Sequence, residues 1–492
     1  MKTDRREFLK TALAGGALAC AAGCMSGKGF SSGKEGSLVG FKAPPMDRIR
    51  LGFIGLGERG MAGFHRALLF PGPEAAAICD IRPEAVDDAA AFLKKWNVPG
   101  AAHQYKGKAD SWKGVCEDPE VDVVYIATPA GLHADMEVYA LEHGKHVLCE
   151  VPGAMKIEDC WRIVNAAEKA QRHCYLLENR CFREAECLAL SLAKQGILGE
   201  LSHAEAAYIH PLCWRHLEDS FRNRRLKESL RRDSNWNTYP THPLGPMCKY
   251  LDINCGDRMT TLVSMSNDDF THRAYARANF PADAWQNKVQ YNGCDINTTL
   301  IRTAKGRTIE LKFNISTPRP YTRINLLAGT KGCFQGEPFE LVAFDKDGGP
   351  YGFDNEPQWF DEKKRAEYAE TYMHPLWKKF GPAFKELGAI KKCSDFFAGH
   401  GGVDYILELS WVYSFRTGSP MPQNVYDLAT WSSIVELTRD SVRGGSCPVE
   451  VPDFTRGGWA RNEVPPLVDF NASDIGVDLE RIKATAKRWA GV

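Results

Sequence analysis

Three glycines, Gly55, Gly57 and Gly60, close an apolar run that begins near residue 48, and residues 61–70 continue at helical spacing. The order reads as strand, tight turn and helix. Glycine at the first position permits the turn, at the second lets a pyrophosphate approach the main chain, and at the third lets the helix lie close on the strand. The helix N-terminus, with unpaired amides and a partial positive charge, then faces the phosphates, with Glu58 and Arg59 standing inside the turn. A second apolar run, residues 74–80, ends in Asp80. That acid stands about 20 to 25 residues downstream of the glycines, where a ribose-binding carboxylate belongs. Such a carboxylate accepts the ribose hydroxyls and repels a 2′-phosphate, which predicts NAD rather than NADP; Arg82, just beyond it, is a residue type that binds that phosphate. A lone glycine pattern also marks ordinary strand-to-helix turns. Strand, turn, helix, strand and acid in register favour the nucleotide.

The elements around this turn must place the remaining groups. Residues 82–97 form an amphipathic helix opening on Pro83 and Glu84, residues 121–127 a buried strand ending in Thr128-Pro129, and residues 135–143 a helix closed by Gly144. A strand at 145–149 runs into Glu150-Val151-Pro152, and a helix at 157–169 and a strand at 173–177 follow. This alternation predicts a Rossmann-type, doubly wound parallel sheet over residues 47–180. Ligands on such sheets sit at the carboxyl ends of the strands. Thr128, Ala130, Gly131, His133, Glu150, Val151 and Asn179 are therefore expected to line a cofactor, with Glu178 beside them.

Beyond that the pattern changes. Residues 202–210, 298–303 and 308–315 alternate apolar and polar, with Lys305-Gly306 as a turn, and residues 323–334 and 340–344 add further strands. Residues 181–492 are thus expected to form an α+β substrate and catalytic domain around an open, largely antiparallel sheet. Helical stretches at 362–392 and 403–441 are expected to return across it.

The 62 basic and 62 acidic residues cancel, which argues against nucleic acid as a partner. Residues 1–30 carry Arg5-Arg6-Glu7-Phe8-Leu9-Lys10 ahead of a small-residue apolar stretch, which resembles a twin-arginine export signal; Cys24 follows Ala-Ala-Gly, as at a lipoprotein processing site. The expected location is the periplasm or a lipid-anchored membrane surface, with residues 31–46 as a linker. Export of a folded protein suits a cytoplasmic cofactor. Of the 16 cysteines, Cys20 and Cys24 lie in the leader; the others form no C-x-x-C pair, which suggests neither a zinc site nor a dense disulfide framework.

The run from the third strand through Ala127-Thr128-Pro129, His133, His143-Gly-Lys-His-Val-Leu148 and Glu150-Val151-Pro152 resembles the Gfo/Idh/MocA oxidoreductases. That superfamily usually carries a lysine at the Val151 position, where it assists proton transfer. Tyr239-Pro-Thr-His242-x-Leu-Gly-Pro, Arg319-Pro-Tyr321 and His400-Gly-Gly-Val-Asp404 are similar to glycoside hydrolase family 109, a subgroup associated with α-N-acetylgalactosaminidase activity. The resemblance covers nearly all of the chain after residue 49. It departs at Ala130-Gly131-Leu132, where the family is aromatic, and at Phe182, where it tends to have tyrosine.

The resemblance implies that Arg59, Asp80, Glu150, Val151, Asn179, Tyr239 and His242 contact NAD, and that Tyr208, Arg225, Tyr239 and Tyr321 face the sugar. It also implies a redox-neutral cycle: oxidation at C3, loss of the C2 proton and the C1 substituent, addition of water, and re-reduction. No net oxidation is completed, which agrees with valine at position 151. His242, Tyr239 and Tyr321 are the expected proton-transfer groups, since imidazole titrates near neutrality. Two other readings compete: a sugar oxidoreductase with tightly bound NAD(H), and a carbohydrate-binding protein that keeps the cofactor structurally. A homo-oligomer is expected.

Overall fold

A computed structural model describes residues 37–100, 103–218, 234–344, 359–461 and 472–492. The export-signal and lipoprotein readings, with Cys20 and Cys24, and the sugar-binding reading of Arg225, lie outside the described residues.

Six parallel strands form the first sheet: β1 (Ile49–Ile54), β2 (Pro73–Asp80), β3 (His103–Lys106), β4 (Val123–Ile126), β5 (His146–Cys149) and β6 (Cys174–Leu176). Their order is β3-β2-β1-β4-β5-β6. The winding reverses between β1 and β4, and this opens the crevice in which ligands of such sheets lie. Helices α1 (Glu58–Ala67), α2 (Pro83–Trp96), α3 (Trp112–Glu117), α4 (His133–Glu142) and α5 (Ile157–Ala170) cover its two faces. β4 and β5 are buried at every residue, as a strand between two helical layers must be. The sequence pattern assigns no element between residues 97 and 121, where β3 and α3 lie. β3 is an edge strand with three of its four residues exposed, so it carries no apolar alternation.

The second sheet has eight strands: β7 (Leu201–Ile209), β8 (Met259–Ser266), β9 (Asn297–Thr303), β10 (Thr308–Asn314), β11 (Leu326–Gly329), β12 (Gly332–Gln335), β13 (Leu341–Phe344) and β14 (Val449–Glu450). They run in the order β13-β12-β11-β7-β10-β9-β8-β14. The sheet is largely antiparallel, as expected: β7 and β10 are parallel, while the other pairs are antiparallel. Alternation fixes which face of a strand is buried and says nothing of direction.

Helices α6 (Glu184–Lys194), α7 (Thr241–Tyr250), α8 (Pro375–Ala389), α9 (Val403–Thr417), α10 (Val425–Arg443) and α11 (Leu479–Trp489) complete the frame. The helical stretches at 362–392 and 403–441 are both interrupted, the second at Gly418, whose φ of 70° ends α9. Their placement also differs from expectation. α10 packs against β8 and against α5, and α9 packs against α1 and the short turn Asn179–Phe182. The late helices thus belong to both sheets, and α9 is buried at every residue from Val403 to Phe415, as a helix enclosed on all sides must be. α11 brings Trp489 edge-on to Phe92 of α2, with ring centroids 5.0 Å apart.

The expected linker is corrected where it is described. Leu38 and Ala43 are buried, the Leu38 amide donates to Tyr426 Oη at 2.9 Å, and the Met46 amide donates to the Phe415 carbonyl at 2.8 Å. These apolar anchors hold residues 37–46 against the late helices, and residues 37–492 form one compact unit. The 14 described cysteines are unpaired and mostly buried. Among the described residues no helix is long and apolar enough to cross a membrane.

Candidate active site

The glycine turn has the predicted geometry. A Cβ on Gly60 would lie 1.8 Å from the Gly55 carbonyl oxygen, so α1 could not approach β1 with any larger residue. A Cβ on Gly57 would meet nothing closer than Arg82 Nη2 at 4.0 Å, so the protein itself leaves the space over that residue open. The two positions therefore separate folding from binding. We expect Gly60→Ala to lower thermal stability, and Gly57→Ala to keep the melting temperature while reducing the NAD content of purified protein, because its methyl group occupies only the ligand's space. Equal NAD content in wild type and Gly57→Ala would contradict this assignment. Asp80 Oδ2 accepts the Leu56 amide at 2.7 Å, and Oδ1 accepts Arg82 N at 2.8 Å and Nε at 3.2 Å. Arg82 is thereby turned onto Asp80, in keeping with a ribose-binding acid.

At the carboxyl ends of β5 and β6 a buried ion network gathers around Asp404. Arg59 Nε donates to Glu150 at 2.5 Å and its Nη1 to Asp404 at 2.7 Å. Asn179 Nδ2 donates to Asp404 Oδ1 at 2.7 Å, and His400 Nδ1 to Oδ2 at 2.6 Å. Burial alone would raise the Asp404 carboxyl, but Arg59, His400 and Arg66 hold it well below the usual carboxylate range. Because Nδ2 is committed to a carboxylate, the amide of Asn179 is fixed with Oδ1 as an acceptor, and that atom is buried with no hydrogen-bond partner. An orphaned acceptor beside Arg59 and Glu150, with open space over Gly57 and a carboxylate at Asp80, fits the donor hydroxyls and amide of a dinucleotide.

His242 enters on the first turn of α7. Its Nδ1 lies 2.6 and 2.8 Å from the two oxygens of Glu178, which is fully buried at the end of β6. Burial pushes the imidazole down to about 4, against the pull of Glu178, while His242 overcomes burial to hold the Glu178 carboxyl below its ordinary value. At neutral pH the pair is a neutral imidazole donating from Nδ1 to an ionised carboxylate, which leaves Nε2 as the basic atom. Nε2 lies 3.5 Å from Tyr239 Oη. Tyr208 packs across Tyr239 and His242, with ring centroids 5.0 and 5.8 Å away, and burial raises its hydroxyl. Tyr321 is 38% exposed, and its hydroxyl accepts from Arg180 Nη2 at 2.6 Å and Arg323 Nε at 2.8 Å.

The structure thus brings Tyr208, Tyr239, Tyr321 and His242 into one cluster. Val151 is buried at 6% exposure, and Glu58 is exposed on the first turn of α1. The loop after β4 is arranged differently from its reading. His133 is fully buried, with Nδ1 2.8 Å from the Pro152 carbonyl oxygen and Nε2 2.7 Å from that of Thr128, so it ties two loops together beneath the crevice. Ala130 is buried, whereas Gly131 and Leu132 are exposed. Sequence reasoning missed the partners: Glu178 as the carboxylate of His242, Asp404 as the acceptor for Arg59 and Asn179, and Arg180 and Arg323 on Tyr321. Only position at a strand end marked Glu178, and only a motif marked Asp404.

A nucleotide crevice joined to an imidazole–tyrosine cluster on an open sheet defines a nucleotide-dependent sugar enzyme built on an oxidoreductase fold. Residues 49–177 match the oxidoreductase family with an NAD-binding Rossmann fold, and residues 182–461 match the C-terminal domain of glycosyl hydrolase 109. The chain belongs to glycosyl hydrolase family 109, and NAD is the cofactor of its first domain. It is 38% identical over 463 residues to a family 109 protein of Shewanella pealeana, covering 93% of this chain and 98% of that one. It is 40% identical over 438 residues to a Bacteroides fragilis protein named alpha-N-acetylgalactosaminidase, covering 88% and 98%. Among solved structures, an NAD-binding oxidoreductase from Klebsiella pneumoniae superposes with a TM-score of 0.60 at 19% identity, covering 83% of this chain and 100% of that one. Levoglucosan dehydrogenase in complex with NADH and L-sorbose superposes at 0.58 and 18%, with the same coverage. These likenesses show the fold.

Proposed function

We propose that this glycoside hydrolase removes a terminal N-acetylgalactosamine or a closely related sugar, using NAD without net redox change. The observation that carries the reading is the Glu178–His242–Tyr239 chain beside Tyr321, in a nucleotide crevice where valine stands at position 151; kinship with the Bacteroides fragilis enzyme supports the sugar. Gly57, Arg59, Asp80, Glu150 and Asn179 would hold the cofactor. Bound NAD supplies a reversible acceptor for the hydride at C3 of the sugar.

The remaining steps fall to the chain's own groups. Nε2 of neutral His242, directly or through Tyr239, takes the proton of the C3 hydroxyl, and Glu178 stabilises the imidazolium that forms. The resulting ketone acidifies the C2 proton. Tyr321, whose oxygen is held by two guanidinium donors, is placed to take part in its removal as the C1 substituent leaves. Water then adds at C1, and protons and hydride return to C2 and C3. Valine at 151 relays no proton, so proton transfer at the C3 hydroxyl depends on the His242 side alone.

The leader-like first thirty residues support export by the twin-arginine route, with lipidation at Cys24 as the finer form of that proposal, and we also propose a homo-oligomer. Purified protein is expected to carry NAD, read by denaturing it and measuring released nucleotide, and to cleave a nitrophenyl N-acetylgalactosaminide with no NAD added. Protein that is empty and fails to bind added NAD would overturn the reading. Turnover that requires a second sugar would favour the oxidoreductase, and retained NAD with neither reaction the binding protein.

A further inference from the structure

Arg180, on the turn after β6, and Arg323, just before β11, converge on one oxygen. Their Nη2 and Nε donate to Tyr321 Oη at 2.6 and 2.8 Å, which sets two like charges within a few ångströms of each other. The Arg323 guanidinium, 3% exposed as a residue, lies 4.1 Å over the ring of Tyr208 and 4.8 Å over that of Tyr321. His210 stands edge-on to Tyr321 at 5.1 Å, and burial first, with Arg323, Arg215 and Arg180 after it, lowers its imidazole to about 4. It therefore adds no charge at neutral pH but offers a polar ring.

What distinguishes this pair is the lack of a carboxylate. Arg59 and Arg66 meet Asp404 and Glu408, Arg183 meets Glu186 and Glu337, and Lys249 meets Asp427. Among the described residues neither Arg180 nor Arg323 has an acidic side chain at salt-bridge distance. Arg180 Nε, Arg323 Nη1 and His210 Nδ1 are buried with no hydrogen-bond partner. Arg323 is buried and Arg180 half-buried, and the nearest carboxylates, Glu178 and Glu337, are bonded to their backbone amides rather than to their guanidinium groups, so an arriving anion that satisfies the free N–H groups is favoured. The pair stands on the Tyr208–Tyr321 side of the cluster, where the proposed sugar lies.

We propose that Arg180 and Arg323 form a subsite for an anionic substituent, a carboxylate or a sulfate ester, on the sugar this site takes. Planar guanidinium forks match the paired oxygens of either group. The inference rests on the sugar-binding reading above and deepens it: a sugar of that class bearing an anionic substituent is preferred to the neutral one.

Calorimetric titration of the NAD-loaded protein with N-acetylgalactosamine, its 6-sulfate and galacturonic acid tests it. One of the two anionic sugars is expected to bind about tenfold or more tighter than the neutral one in low salt, with the advantage shrinking as ionic strength rises. Tighter sulfate than uronate identifies a sulfate subsite, and the reverse a carboxylate subsite. In Arg180→Gln the advantage should fall to about threefold or less, while Arg180→Lys keeps an intermediate, salt-sensitive preference. NAD content and melting temperature, measured alongside, show that each variant is folded. Equal or tighter binding of the neutral sugar, absence of binding by all three, or equal weakening of neutral and anionic sugars in Arg180→Gln would overturn the subsite. Failure of the glycosidase reading looks different: sugars bind with the anionic preference and no glycoside is cleaved.

Discussion

Cleavage of an N-acetylgalactosaminide in heavy water is expected to place deuterium at C2 of the released sugar. In elimination the C2–H bond breaks and the proton is replaced from solvent, and the hydride leaves C3; in displacement by paired carboxylates neither bond is touched. A C3-deuterated substrate should also react more slowly where hydride transfer limits the rate. The geometry makes the result specific to residues. His242 is neutral with Nε2 basic because burial and the Nδ1 contact to Glu178 fix that form, so His242→Ala removes the imidazole that faces Tyr239. His242→Ala and Tyr239→Phe should each slow the chemical step by about 10²-fold or more, with NAD still bound. Rapid cleavage without label at C2, in an enzyme whose His242→Ala variant is nearly as fast, would sink the elimination mechanism.

Below pH 6.5 the folded chain should lose stability steeply. Burial holds His65 and His216 down to about 3 and His173, His210 and His242 to about 4, and holds His146 well below its usual value. These rings stay neutral in the folded state while the same residues in the unfolded chain take up protons below 6.5. The unfolded state therefore binds more protons, and stability falls as pH drops from 6.5 toward those folded values. Glu137 and Glu408 pull the other way, since burial keeps them protonated up to about 8 and 7. They offset two of the six histidines, and Glu186 and Glu340, also raised by burial, offset part of the rest. A net difference of about two to four protons corresponds to roughly 3 to 5 kcal/mol per pH unit. Urea unfolding at pH 7 and pH 5 measures it, and a midpoint that does not move would refute the account. His65→Phe, which can keep the stack on Phe396 now seen at a ring separation of 4.1 Å, should flatten the dependence by about one proton.

The nucleotide half was largely legible because its chemistry constrains residue types locally. Gly55, Gly57, Gly60 and Asp80 occupy one turn and the strand beside it, and their spacing carries the geometry. The imidazole–tyrosine cluster was legible only in part. Tyr239 and His242 share one motif, but Glu178 reaches His242 from 64 residues away, and nothing in its own neighbourhood shows that the two meet. Arg323 lies two residues beyond Tyr321, yet contact with Arg180 depends on how β6 and β11 are brought together. The parallel pairing of β7 and β10 was illegible for a related reason, since side-chain alternation is the same in either direction. Composition also hid β3, a strand with no face to bury.

The place of Asp404 bears on when the cofactor site comes into being. Its partner Arg59 lies 345 residues earlier in the chain, so during synthesis the arginine leaves the ribosome long before the carboxylate that fixes it. A nascent chain carrying only the first sheet holds Arg59 and Asn179 without that anchor, and lacks the enclosed helix that supplies it. Secure loading of NAD therefore reports a chain made at least as far as α9. A bound cofactor would then mark copies that have reached α9, which suits a protein whose proposed route out of the cytoplasm accepts folded cargo.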